Sequence, residues 1–116
     1  MKGIYFINER ISFEGFSKEE SIQMQEQAIK NFLSVQNIQV VTLNPHQLNE
    51  YYSIPHALLY DLKKENSQFD CLVYYSLPAI ADFIYTYPAK WLILKSFFKE
   101  IINVDKSSDF TIQQVI

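Results

Sequence analysis

His46 and His56, the carboxylates Glu9 and Glu14, and the thiol of Cys71 are the side chains best suited to acid–base, metal or nucleophilic chemistry. Their spacing argues against most of it. The histidines stand ten residues apart on different elements, which is no recognised metal-ligand spacing. A surface or capping role is the expectation for both. Glu9 and Glu14 form a carboxylate pair in a polar stretch, where solvation is the ordinary fate of such groups. With one cysteine in the chain, no intrachain disulfide, CxxC redox pair or cysteine-rich zinc site can form. Cys71 lies inside an apolar run and reads as a packed thiol. No metal and no cofactor is expected. Four aromatic residues on loops, Phe13, Phe16, Tyr51 and Tyr52, either fill the core or anchor a partner protein.

The charge inventory narrows the field further. Ten basic residues face 13 acidic ones, a net charge of −3, so nothing attracts the chain generally to a phosphate backbone. Nine of the ten are lysines and only Arg10 is an arginine. Chemistry that needs several planar guanidinium groups is excluded, because lysine does not reproduce their bidentate geometry.

The elements that must carry these residues are organised around Asp70-Cys71-Leu72-Val73-Tyr74-Tyr75-Ser76-Leu77-Pro78. An apolar run of that length, closed by Ser-Leu-Pro, is expected to be a strand buried on both faces of a parallel sheet. Gly3–Ile7 is a first strand, followed by a polar stretch from Asn8 to Ser17. A long helix runs from Lys18 or Ser21 to Gln36, with Ser17 and Glu20 at capping-box spacing. Its apolar positions Ile22, Ala28, Ile29, Phe32, Leu33 and Val35 are expected to face the sheet. Ile38–Leu43 is a second strand, ended by Asn44-Pro45, and His46–Ser53 reads as loop. Pro55 opens a second helix that buries Ala57, Leu58, Leu59 and Leu62. Ala79–Tyr85 is a short helix and Pro88–Ile101 a longer one, apolar almost all round; Ile102–Asp105 and Phe110–Ile116 complete the set as strands. The expected architecture is α/β, a three-layer α/β/α sandwich on a mostly parallel sheet, filling residues 1–116 as one domain. No apolar run is long enough for a membrane span and no signal peptide is evident, so a cytoplasmic location is expected.

In such sheets ligands bind beyond the carboxyl ends of the strands, which points to Asn8–Ser17, Asn44–Ser53 and Ser76–Asp82. The first of these loops holds Gly15 alone among bulky neighbours, too few glycines to bring backbone against a pyrophosphate.

At Arg10-Ile11-Ser12 the chain resembles the N-terminal catalytic domain of the serine recombinases, the resolvase and invertase family. That family's first strand ends in an Arg-Val-Ser motif, followed by an acidic or glutamine-rich loop and a Ser-Leu-x-x-Gln helix start. Ser21-Ile22-Gln23-Met24-Gln25 stands at the matching distance without a gap. Phe69–Leu77 is similar to the family's Asp-x-Leu-Val-Val-x-x-Leu strand. The resemblance implies a resolvase-like fold, a nucleophilic role at Ser12 and a phosphate-binding role at Arg10. A second alignment, pairing Tyr5 with the family's strand tyrosine, puts Glu9 at the nucleophile position instead.

The family's third strand runs into Leu-Asp-Arg-Leu-x-Arg, where this chain has Leu77-Pro78-Ala79-Ile80-Ala81-Asp82, and the family's Arg-Pro pair is replaced by Ile54-Pro55. Losing one electrostatic donor from such a site costs about 2.7–4 kcal/mol of transition-state stabilisation, and three are missing here. A serine hydroxyl is a weak nucleophile unless activated. The expectation is therefore a catalytically inactive recombinase-like domain, with no dimerisation helix or DNA-binding domain in 1–116, acting in protein interaction or in regulation of DNA recombination or processing. Its partner would be another protein or a second copy, with DNA contact weak or made through that partner. The alternatives are an active or partner-complemented recombinase or nuclease using Ser12, and a small-ligand-binding domain.

Overall fold

The computed structural model describes residues 1–105, and the expected strand Phe110–Ile116 lies outside them. The described residues form an α/β domain on a four-stranded, wholly parallel sheet of order β2-β1-β3-β4. Its strands are β1 (Lys2–Phe6), β2 (Gln39–Val40), β3 (Phe69–Tyr74) and β4 (Phe98–Asn103). The helices are α1 (Lys18–Val35), α2 (Pro55–Glu65), α3 (Ala81–Thr86) and α4 (Pro88–Lys95), with a 3₁₀ turn over Leu77–Ala79.

The two central strands are apolar over Ile4–Phe6 of β1 and Cys71–Tyr74 of β3, because successive side chains there enter different cores. Ile4, Phe6, Leu72 and Tyr74 pack with Leu58 and Leu62 of α2, Phe83 of α3 and Trp91 and Leu94 of α4. Tyr5, Ile7, Cys71 and Val73 pack with Ile29 and Leu33 of α1. Where β1 pairs with β3, Gly3 stands beside Cys71 and leaves no room for a side chain: a Cβ there would sit 2.7 Å from Cys71 Sγ and 2.9 Å from Ile38 Cγ2.

Each helix end has a local cause. Ser17 and Glu20 close the expected capping box on α1, each side chain bonding the other's backbone N–H. At the other end Asn37 takes a left-handed φ of 55°, and Ile38 N–H donates to Leu33 O in a Schellman arrangement. Pro55 occupies the first turn of α2, where its missing N–H costs nothing, and the left-handed Asn66 ends the helix.

Several expectations are corrected. The helix opened by Pro88 stops at Lys95, and the strand begins at Phe98 rather than Ile102. Phe97-Phe98 and Ile101-Ile102 are an apolar run that periodicity alone cannot assign, and pairing of Phe98 with Phe69 decides for strand. Residues 104–105 then leave the extended state. The second strand shrinks to Gln39–Val40, while Tyr52, expected in a loop, rejoins β1 further along the same edge: Ile7 N–H donates to Tyr52 O and Tyr52 N–H to Tyr5 O. On α1 the fully buried line is Ser21, Gln25, Ile29 and Leu33, and Val35 is exposed. On α2, Ala57 is exposed while its three leucines are buried.

Candidate functional site

From β1 the chain turns one way to β2 and then crosses to β3 on the other side, so the order reverses between β1 and β3. Beyond the carboxyl ends of these two strands lies a cleft of about 670 Å³. Asn8, Arg10 and Ile11 come to it from the loop after β1, Pro55 and His56 from the start of α2, and Ala79, Asp82, Phe83 and Tyr87 from the segment after β3. This is where a switch point in an open α/β sheet places ligands.

Asn8 holds the cleft together. Its side-chain Nδ2 donates to Ala79 O at 2.9 Å, tying the loop after β1 to the one after β3, and its Oδ1 accepts from Arg10 N–H at 2.8 Å. Its backbone is held from α1: Asn8 N–H donates to Gln25 Oε1 at 3.1 Å, and Gln25 Nε2 donates to Asn8 O at 2.9 Å. The primary amide of Gln25 thus takes the place of a neighbouring strand's peptide group. One turn earlier on α1, Ser21 Oγ accepts from Phe13 N–H at 2.9 Å. Ser21 and Gln25 are fully buried, and burial is tolerable because every polar atom is used. Neither residue's burial follows from hydrophobic periodicity; the one sequence signal was their place in the Ser-x-x-x-Gln match.

Arg10 and Asp82 both line the cleft and both are exposed, with no ion pair between them. Ser12 is exposed, lies outside the cleft lining and makes no hydrogen bond among the described residues, so no base is placed to take its proton. Glu9 accepts from Tyr51 Oη at 2.6 Å, and Glu14 is exposed. His56 sits edge-on to Phe83 and Tyr87, at centroid distances of 5.2 and 4.6 Å. His46 N–H donates to Asn44 Oδ1 in a turn, and among the described residues no group of three or more metal-ligating side chains forms.

The aromatic interaction candidates separate. Tyr52 is buried and donates to Asp61 Oδ2 at 2.6 Å; Phe13 stacks edge-on against Tyr75, and Tyr51 is half-buried beside Tyr5. Phe16 alone stands out, 45% exposed. Burial, then the carboxylates they bond, hold the Tyr5, Tyr51 and Tyr52 phenols above their ordinary range. Burial, with Glu100 and Asp70 nearby, pushes the Cys71 thiol up to about 11, so it stays protonated and inert at neutral pH.

Comparison with protein-family profiles, curated proteins and solved structures gives no match to this chain.

Proposed function

We propose that this chain is a catalytically inactive, serine-recombinase-like domain, with the resolvase sandwich arrangement, that acts by contacting a protein partner in DNA recombination or processing. One observation carries the reading. Arg10 is the only lysine or arginine lining the strand-end cleft among the described residues, it shares that cleft with the carboxylate of Asp82, and the Ser12 hydroxyl is outside it with no base at hand. A phosphoryl group entering there would meet one mobile guanidinium and one repelling charge, far short of the preorganised donors that transfer requires.

What remains is a rigidly held loop. Asn8 and Phe13 are clamped to α1 through Gln25 and Ser21, which presents Arg10, Ile11 and Phe16 on a fixed frame. An exposed aromatic on such a frame is the kind of residue that anchors an interface. The test is to add the protein to a plasmid recombination reaction run by an active serine recombinase. The rate should change in a dose-dependent way, Phe16→Asp should remove the effect, and the protein alone should leave supercoiled plasmid intact. A covalent protein–DNA adduct that vanishes in Ser12→Ala would refute the proposal, as would a reaction rate indifferent to the protein.

A further inference from the structure

We propose that a second cleft, between α2 and α4, binds a nucleoside polyphosphate. The cleft measures about 590 Å³, within the range of small-ligand sites, and is lined by His56, Leu59, Tyr60, Lys63, Lys64 and Lys90. Five of these six recur on α2 at helical spacing, one continuous face, and Lys90 comes from α4. Three ammonium groups and no carboxylate line it, in a chain whose net charge is −3. None of the three lysines has an ion-pair partner among the described residues; of the two acids of α2, Asp61 is taken by the Tyr52 hydroxyl and Glu65 does not line the cleft.

Helix stability explains part of this arrangement and fails for the rest. Lys63 and Lys64 lie in the last turn of α2, where the helix dipole favours cations. Lys90 is the third residue of α4, in the first turn, where the same dipole opposes a cation and where no acid is present to offset it. Its Nζ lies 5.1 Å from the centre of the Tyr87 ring and the helix start has no side-chain cap. A cation placed against its own helix, beside uncapped N–H groups, leaves positive potential at the His56 end of the cleft, while Lys63 and Lys64 charge its other end.

The shape of the ligand follows from the layout. His56 and Lys63 are seven residues apart, about 10 Å along the helix. Aromatic rings gather toward the His56 end, where Tyr87 packs and Lys90 lies over it, and Tyr60, 58% exposed, stands on α2 between His56 and the pair Lys63 and Lys64. A molecule that uses the whole face is extended, with a flat ring for Tyr60 and several negative charges for the three ammonium groups. Point-like ammonium charges suit phosphate oxygens without demanding bidentate geometry. With α2 and α4 only 11 and 8 residues long, the cations span the length of one nucleotide rather than a polymer.

Calorimetric titration of the full chain at low salt tests this, using ATP and GTP, inorganic triphosphate, adenosine and a single-stranded oligonucleotide as separate probes. A nucleoside triphosphate should bind at least about fivefold tighter than inorganic triphosphate, and adenosine should not register. Lys63→Gln, Lys64→Gln and Lys90→Gln should each weaken the nucleotide by about fivefold, and added salt should weaken it further. Tyr60→Ala should bring the nucleotide down to the level of inorganic triphosphate without changing the latter. These side chains are exposed, and circular dichroism will verify that the variants fold. The proposal is overturned if neither nucleotide binds, if inorganic triphosphate binds equally well, if the oligonucleotide is preferred, or if binding survives the lysine replacements.

Discussion

Replacing Gln25 by leucine keeps most of the side chain's volume while deleting both halves of its amide, which isolates the contribution of the clamp on Asn8. In the native protein that amide accepts from Asn8 N–H and donates to Asn8 O, and it also donates to Ser21 O. Ser21 O lies within α1 and keeps its helical partner, so only the two Asn8 groups are orphaned. Asn8 is buried, and each unsatisfied buried group costs about 1–3 kcal/mol. Two of them give about 2–6 kcal/mol, from which the easier burial of leucine returns about 1.5–3 kcal/mol. From the middle of the two ranges a net loss of about 2 kcal/mol is expected. At roughly 4–8 °C per kcal/mol for a domain near this size, the thermal midpoint should fall by about 8–16 °C. Circular dichroism melts give the midpoint, and hydrogen exchange at the Asn8 amide reports the site directly, with protection falling more there than at Leu72 in the sheet centre. A midpoint moved by less than about 3 °C, with Asn8 protection unchanged, would show that the amide does not hold this loop.

Gly3→Ala should destabilise by about 1–3 kcal/mol in urea unfolding, since its Cβ would press on Cys71 Sγ and Ile38 Cγ2 in a close-packed part of the sheet; a neutral result would mean that these neighbours can give way there without cost. At alkaline pH the tyrosines set the limit. Folding holds the Tyr5, Tyr51 and Tyr52 phenols above their ordinary value of 10.0, so the stability they contribute is complete below pH 10 and drains away as pH rises beyond it. Ultraviolet titration should show part of the eight tyrosines ionising only as the helix signal collapses, and smooth ionisation of all eight in the folded protein would contradict the burial argument.

Much of the scaffold was legible because its signals are local. The Ser17–Glu20 box, Pro55 in a first turn, and the apolar runs around Ile4 and Val73 each specify an element within a few residues. Long-range partners decided the remainder. Phe97–Ile102 suits a helix face as well as a strand until Phe69 is placed beside it, and nothing local marks Tyr52 as the residue that rejoins β1. The clamp was the hardest to foresee: Ser21 and Gln25 are polar, and a hydrophobic pattern assigns polar residues to solvent. Their burial makes sense only once the loop beyond β1 supplies backbone groups in need of partners. At the cleft, Arg10 from a loop and Asp82 from the first turn of α3 line one site although more than 70 residues apart in the chain.

The brevity of β2 bears on how copies of this protein can meet. A rim strand of two residues offers an incoming backbone almost nothing to zip onto, and the chain bends away from β1 before a ladder could extend. Growth of the sheet from one molecule into the next is therefore blocked on that flank, and any neighbour approaching there must be recognised by its side chains.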